Sequence, residues 1–435
     1  MTLKDAIRDF FARYGYDRTY WIAYSGGLDS SVLLSLCAEL RETLPLKLHA
    51  IHINHGLNPS AQKWAQHCEA VCQHYHIDYI CHSIEINLHT GDSLEEVARH
   101  KRYAAITSYL KDNDVLMTAH HEDDQAETFL LQLLRGAGTK GLAAMPVVKS
   151  NSRIMHARPL RDFTRSKLME HARQQNLIWI DDESNTNVKL TRNFVRHHVL
   201  APLKERWPTV ATTIARSAAH CAETESLLQL FAQEKMQWVA GSKANTLSVS
   251  KLLQFVPSVQ RLLLRYWIHS RQISLPSTKK IETIMQQVLL ANWDRSPCVQ
   301  WGNTELRRYR DDLFLLPSHD QHANKQSFQW NMIQPIQLPG IGYLHAELKQ
   351  GNGLRTNVEN VSVRFRQGGE MIRLAQRGTK SLKNLFQEWN VLPWERDRIP
   401  LIYVDDELAA VVGYGIAEKY SAGDLQPSYE LRVRA

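Results

Sequence analysis

Tyr20-Trp21-Ile22-Ala23-Tyr24-Ser25-Gly26-Gly27-Leu28-Asp29-Ser30-Ser31 joins a short apolar run to two glycines, an aspartate and three serines. Behind it Val32, Leu33, Leu36, Cys37 and Leu40 recur at helical spacing. The stretch reads as strand, loop and helix, so the first-turn N–H groups of that helix point back at whatever the loop holds. Such a site suits an anion. No lysine follows the glycines as in G-x-x-x-x-G-K-[ST], which excludes an ordinary P-loop with its ammonium group on the far phosphates. Serine hydroxyls, bare N–H groups and a Mg²⁺ ion held by Asp29 are left to do that work.

The order S-G-G-x-D-S resembles the PP-loop of the N-type ATP pyrophosphatases. The resemblance implies cleavage of ATP between its α- and β-phosphates and adenylation of an oxygen on the substrate. A serine- and glycine-rich turn that merely starts a helix is the plain alternative, and the rest of the chain decides between them.

A chain of 435 residues has room for about two to four domains. Its 43% hydrophobic and 22% charged residues are ordinary for a globular protein, and no apolar stretch reaches the length of a membrane span. The run from Met1 to Arg8 lacks the apolar core of a signal peptide, so a cytoplasmic location without a membrane partner is expected. Six scattered cysteines form no C-x-x-C pair, which gives no support to a zinc ribbon or an iron–sulfur site. Cys68 and Cys72, one helical turn apart, read as buried free thiols.

The net charge is +7, and its distribution says more than its size. Residues 1–215 carry 25 basic and 24 acidic side chains, residues 216–330 carry 14 and 9, and residues 331–435 carry 13 and 12. The excess sits in the middle, where it marks either a nucleic-acid surface or a solvated helix face.

Residues 1–215 alternate short apolar runs with helical patterns, as in a Rossmann-like parallel sheet covered by helices. The expected strands are Tyr20–Tyr24, Leu46–Ile53, Ile77–Ile86 and Val115–Thr118, with Arg153–Ala157 and Leu177–Ile180 as further candidates. Ligands in such α/β sheets bind beyond the carboxyl ends of the strands, where Ser25–Gly27, His52–Gly56 and His120–His121 fall. Residues 216–330 read as a mainly helical domain, with Pro257 as a break and a hairpin after Pro297. Pro317 to Trp330 reads as a linker. Residues 331–435 then read as a small α+β domain, with strands Ser362–Arg366, Leu401–Val404 and Leu408–Tyr414 around a helix at Leu382–Trp389.

A helix opened by Asp123 sets His120, Asp124 and Glu127 at i, i+4 and i+7, along one face beside the phosphate loop. Two carboxylates and an imidazole there can hold Mg²⁺, bind an ammonium group or take a proton from an amine. A solvated helix start stabilised by its dipole is the bland alternative. Gly136, Gly138 and Gly141 let backbone approach a ligand closely, or simply stop that helix. Ser93 has capping-box spacing to Glu96 and opens a helix carrying Arg99 and Arg102, which share a face fit for a carboxylate or phosphates, or for pairing with Glu95 and Glu96.

SGGLDSS (25–31), HINHGLN (52–58), SLEEVARHKRY (93–103), TAHHEDDQAETFLLQLLRGAGTKGLAAM (118–145), WIDDESN (179–185) and RNFVRHHVLAPL (192–203) follow one another in an order that resembles the tRNA(Ile)-lysidine synthase family. VRFRQGGE (363–370) and KSLKNLFQEWNVLPWERDRIPLIY (380–403) extend the resemblance to the last domain of its long, three-domain bacterial form. Asn58 departs from the pattern, which often has a basic residue there, and this weakens a phosphate role at that spot. The resemblance implies that ATP adenylates the carbon-2 oxygen of the wobble cytidine in a tRNA(Ile) with a CAU anticodon. Free L-lysine then displaces AMP to give lysidine, changing decoding from AUG to AUA.

On this reading Ser25, Gly26, Gly27, Leu28, Asp29, Ser30 and Ser31 bind ATP together with His52, Asn54, His55, Gly136 and Gly138, and Asp29 also holds Mg²⁺. Asp124 and Glu127 are the lysine-side carboxylates, because an amine with an intrinsic pKa of about 10.4 needs a nearby group to become nucleophilic. His120 or His121 relays a proton, and Arg102 faces the lysine carboxylate or the α-phosphate. Arg192 and Arg196 are assigned to tRNA. So are Arg364, Arg366, Arg373, Arg377, Lys380 and Lys383, a basic stretch interrupted only by Glu370 and interleaved with Phe365, Phe386 and Trp389. Homodimerisation is left open. The rival readings are a PP-loop tRNA 2-thiolation enzyme, against which the missing cysteine pairs argue, and a non-catalytic tRNA-binding protein, against which the intact loop and acidic face argue.

Overall fold

The computed structural model describes residues 2–434 except 57–58, 88–93, 151–152, 293–294, 319–325 and 376. Asn58, Ser93, the side chain of Glu95 and the centre of the expected linker therefore lie outside the described residues. The chain divides into two compact units, Met1–Gln229 and Leu230–Ala435.

In the first unit α1 (Leu3–Tyr14) precedes β1 (Thr19–Ala23), α2 (Leu28–Arg41), β2 (Lys47–Asn54), α3 (Ala61–His74), β3 (Asp78–Ser83), α4 (Leu94–Tyr109) and β4 (Val115–Met117). There follow α5 (Glu122–Leu134), α6 (Thr139–Leu142), β5 (Val148–Ser150), β6 (Met155–Ala157) and α7 (Arg165–Gln174). A last helical stretch runs through α8 (Thr191–Phe194), a π-helical turn over Val195–Leu200, α9 (Ala201–Arg206) and α10 (Val210–Met236).

β1 is buried on both faces because its run of apolar and aromatic residues sends successive side chains into two different cores. Tyr20, Ile22 and Tyr24 share one core with Phe11 of α1, Leu33, Leu36 and Leu40 of α2 and Leu168 of α7. Trp21 shares the other with Ile51 and Ile53 of β2, Leu116 of β4 and Ile106 and Leu110 at the end of α4. The sheet runs in the order β3-β2-β1-β4-β6-β5, parallel throughout except at β5. Its switch point lies between β1 and β4, where the crevice beyond the strand ends opens.

Two expectations change here. Val148–Ser150 adds an edge strand that the sequence reading lacks. Leu177–Ile180 does not join the sheet; instead the Ile180 N–H donates to the Gly26 carbonyl at 2.9 Å, which commits the backbone of that segment to the phosphate loop.

In the second unit the helices Pro257–Ser270 and Thr278–Thr283 cover an antiparallel sheet of Leu247–Ser248, Asp312–Pro317, Thr304–Tyr309 and Cys298–Trp301. Pro257 is the first residue of its helix, where no intrahelical partner awaits its missing N–H. Leu263, Leu264, Trp267 and Ile281 meet Leu306 and Leu313 in this core. Beyond it, Val361–Arg364, Leu401–Val404 and Glu407–Val411 build the foreseen sheet, and Ser381 caps the helix Leu382–Glu388. A second antiparallel sheet, centred on Gly342–Gln350 and Pro427–Arg434, was not foreseen. No helix among the described residues is long and apolar enough to cross a membrane.

Two glycine substitutions separate close approach from backbone strain. Gly26 has φ +81°, and a Cβ there would stand 2.7 Å from Ile180 Cδ1 and 2.9 Å from Cys68 Sγ. Gly136 has φ +68° and open space around it. Gly26→Ala is expected to destabilise the chain by about 3 kcal/mol and Gly136→Ala by about 1 kcal/mol, measured by urea unfolding.

Candidate functional site

The loop after β1 is closed by its own serines. Ser25 Oγ lies 3.1 Å from Ser30 Oγ, Ser30 Oγ donates to the Gly27 carbonyl at 3.0 Å, and Ser31 Oγ reaches the Gly26 carbonyl at 3.4 Å. Gly27 is the N-cap of α2 and offers no side chain to its first turn, so those N–H groups stay directed at the crevice. Asp29 stands in that turn. Among the described residues its Oδ1 is buried without a hydrogen-bond partner, and Arg165 Nε lies 4.0 Å away. No sequence signal pointed to Arg165, which arrives from the first residue of α7.

α5 starts at Glu122, not Asp123, because Asp124 reaches back as its third residue and its Oδ2 accepts from the His121 N–H at 3.0 Å. His120 therefore precedes the helix, and the expected i, i+4 relation to Asp124 is not a helical one. His121 is the residue at the junction: its Nε2 lies 3.5 Å from Asp29 Oδ2 and 3.4 Å from Asp124 Oδ2. Burial opposes a charge on His121, yet Asp124 and Asp29 outweigh it and raise its pKa above the ordinary value.

Glu127 lies on the same face of α5 with 1% of its side chain exposed. Arg192 Nε donates to its Oε2 and Arg196 Nε to its Oε1, both at 2.6 Å. Arg192 Nη2 donates to Asp124 Oδ1 at 2.7 Å. Burial raises the Asp124 pKa, but His121 and Arg192 hold the carboxyl well below the usual carboxylate range. The two arginines assigned to tRNA thus sit in the crevice on the two carboxylates assigned to lysine. Lys204 pairs with Asp123 at 2.8 Å, and Thr212 Oγ1 donates to Glu122 at 3.1 Å, so α9 and α10 fix the same helix start.

At the end of β2, His52 Nδ1 meets the Tyr24 carbonyl at 3.0 Å, which places this imidazole under the loop. Asn54 Oδ1 accepts from the Gly56 N–H at 2.8 Å and shapes the turn that follows. His55 Nδ1 is buried without a partner among the described residues; burial, then Arg102 and His52, depress its pKa. Burial likewise lowers that of Arg102, whose guanidinium lies 5.7 Å from the Tyr103 ring centre. Gly136 and Gly138 were also expected as ATP ligands. They follow the far end of α5, and its 13 residues put them about 20 Å from His121.

Behind the crevice Thr118 Oγ1 lies 2.8 Å from His120 Nδ1 and 2.9 Å from His156 Nε2, and Arg158 Nη2 lies 3.1 Å from His156 Nδ1. His156 and Arg158 carried no readable motif. Cys68 and Cys72 are buried and free, and burial pushes both thiols up to about 12, so neither supplies a thiolate.

A divalent cation was expected on Asp29, and the donor set fits one. Asp29 Oδ1 is an orphaned buried oxygen beside an anion-directed helix start, and Mg²⁺ commonly takes one or two carboxylates plus phosphate oxygens. Among the described residues no group of three or more acidic, histidine or cysteine side chains forms a protein-only cage.

In the second unit the basic stretch is largely matched by acids that lie outside it in sequence. Arg364 pairs with Asp406, Arg366 with Asp397 at 3.2 Å, Arg373 with Glu418 at 2.8 Å and Lys380 with Glu388 at 2.7 Å. Arg377 and Lys383 are exposed. Phe365 and Phe386 are buried and belong to the core, not to a stacking surface. Trp389 stacks on Tyr414 with ring centres 5.3 Å apart.

Family models match three parts of the chain: a PP-loop domain over residues 2–203, a TilS substrate binding domain over 247–314 and a TilS substrate C-terminal domain over 361–433. A curated tRNA(Ile)-lysidine synthase of Coxiella burnetii is 44% identical over 99% of this chain and 96% of its own length. One from Methylococcus capsulatus is 41% identical over 91% of each chain. Another, from Legionella pneumophila strain Paris, is 38% identical over 95% of each.

Two half-buried histidines, His120 and His156, contribute a pH dependence to the N-terminal unit. Burial lowers the pKa of His120 to about 3 and that of His156 to about 2. Both values lie below the unfolded pKa of about 6.5, so the unfolded chain binds more protons as the pH falls. Their contribution to stability is whole above about pH 6.5 and is lost progressively below it. Urea unfolding of the full chain between pH 7 and pH 4 is expected to show this decline, flattened in a His120→Gln/His156→Gln variant.

Proposed function

The chain belongs to the tRNA(Ile)-lysidine synthase family, and from that premise we propose how its residues divide the reaction. It is a ligase that forms lysidine at the wobble position of tRNA(Ile) in an ATP-dependent reaction. The observation that supports the assignment is the junction at His121, which joins the nucleotide loop at Asp29 to the acidic helix at Asp124 within 3.5 Å.

Ser25–Ser31 and the start of α2 receive the triphosphate, with Arg165 supplying the cation that the missing P-loop lysine would have given. Asp29 holds Mg²⁺, which supplies neutralisation of phosphate charge. His52, Asn54 and His55 shape the adjoining wall. The carbon-2 oxygen of the wobble cytidine in a CAU anticodon is a poor leaving group, so it first attacks the α-phosphorus of ATP, the α–β bond breaks, and an AMP ester forms with release of pyrophosphate. Free L-lysine then attacks carbon 2 through its side-chain amine, and the C–O bond to AMP breaks.

Asp124 and Glu127 attract the cationic groups of lysine, Arg192 and Arg196 hold those two carboxylates in position, and Arg102 serves the lysine carboxylate or the α-phosphate. Arg377 and Lys383 bind tRNA phosphates, and the paired arginines and Lys380 support that surface. ATP and tRNA as reactants point to work in the cytoplasm.

Asp124→Asn and Glu127→Gln are expected to raise the KM for lysine by about tenfold or more while leaving tRNA-dependent ATP–pyrophosphate exchange in place. Mass analysis of the anticodon fragment after incubation with ATP and labelled lysine reads the product. Unchanged lysine incorporation in both variants would remove these carboxylates from the assignment. Arg377→Ala/Lys383→Ala is expected to weaken tRNA binding and to reduce its log–log salt slope by roughly 1 for each phosphate that is no longer neutralised.

A further inference from the structure

A half-buried hydrogen-bonded line runs from Arg158 through His156 and Thr118 to His120, and each member constrains the next. A guanidinium only donates, so the 3.1 Å approach of Arg158 Nη2 requires His156 Nδ1 to accept. Arg158 is itself held by donating to the Pro146 carbonyl at 3.0 Å. His156, accepting at Nδ1 and neutral, carries its proton on Nε2 and donates it to Thr118 Oγ1 at 2.9 Å. The hydroxyl has one proton left to place. His120 Nδ1 lies 2.8 Å away, while the Ala157 carbonyl lies 3.4 Å away and already accepts from the Thr118 N–H at 3.0 Å. The proton goes to His120.

We infer that Arg158, His156 and Thr118 are positioning residues that fix His120 as the Nε2–H tautomer, so that His120 serves the reaction as a hydrogen-bond donor to an oxygen and not as the base for the lysine amine. The oxygen it suits is a phosphoryl oxygen or the pyrimidine carbonyl oxygen that becomes adenylated, and this half of the inference rests on the function proposed above. The tautomer itself does not.

Burial keeps His120 and His156 neutral in support of this order. The charged groups facing His120 are Asp124 of α5, Arg192 of α8, Arg158 and Arg99, of which only Asp124 favours an imidazolium. His156 is faced by Arg158, Arg99, Lys149 and His120. The ring of Tyr103, 5.4 Å from that of His156, closes the other side.

The test is long-range ¹H–¹⁵N correlation on the full chain labelled at histidine, with His120 assigned by its loss in His120→Asn. The expected result is a neutral Nε2–H pattern for His120 from pH 5 to 8. That pattern should give way to a mixture of tautomers in Thr118→Val, a near-isosteric change, and in Arg158→Met. A wild-type Nδ1–H or imidazolium pattern would overturn the inference, as would an unchanged pattern in a folded Thr118→Val variant. Arg158 is buried, so Thr118→Val decides the matter if Arg158→Met does not fold. In the lysidine assay His120→Gln, which keeps a donor, should retain at least about tenfold more turnover than His120→Leu, with the pH profile of turnover unmoved. Equal loss in both with the tautomer confirmed would reject the donor role alone.

Discussion

Glu127 has 1% of its side chain exposed, and two guanidinium groups meet its two carboxylate oxygens there. Removing one partner of a buried pair costs about 3–5 kcal/mol, because the remaining charge has neither water nor counter-ion. That constraint reaches well beyond one ion pair. It ties the helical stretch holding Arg192 and Arg196 to α5, and α5 begins where Asp124 accepts the His121 N–H. The end of β4, the start of α5 and the segment some seventy residues later are thereby fixed as one wall.

The opposite wall is fixed by backbone. Gly26 accepts the positive φ that the turn after β1 demands, and its carbonyl takes the Ile180 N–H while Cys68 and Ile180 leave no room for a Cβ. The two walls meet at His121, whose imidazole stands between Asp29 and Asp124 and is drawn toward the charged form by both. In the proposed reaction, a triphosphate entering at the loop meets helix N–H groups, Arg165 and that imidazole. The crevice is built to receive negative charge on one side and to hold neutralised carboxylates on the other.

The parallel sheet, the loop and the acidic helix were legible in the sequence because each rests on local signals: a glycine pair before a helical pattern, a short apolar run in β1, a polar cluster at a strand end. What was not legible depends on residues far apart in the chain. Arg165 meets Asp29 across 136 positions, and the acids that match Arg364, Arg366 and Arg373 lie 31 to 45 residues away, so counting charges between 361 and 384 made that surface look more basic than it is. Phe365 and Phe386 looked like stacking residues because spacing alone cannot tell a buried ring from an exposed one. Gly136 and Gly138 follow the end of α5 that lies away from His121, a distance set by helix length that sequence spacing does show.

Hydrogen bonding also narrows the chemistry of the acidic face. Asp124 turns Oδ2 to the His121 N–H and imidazole and Oδ1 to Arg192 and Arg196. Glu127 directs both oxygens to the same two arginines. A carboxylate so fully satisfied as Asp124 is held well below the usual range, and a weak acid's conjugate base gains strength only as its pKa rises. His120 has its accepting nitrogen turned to Thr118. Asp124 and Glu127 are therefore arranged to hold and orient charge, and the side chains that look most like general bases in the sequence are the ones whose lone pairs the fold already occupies.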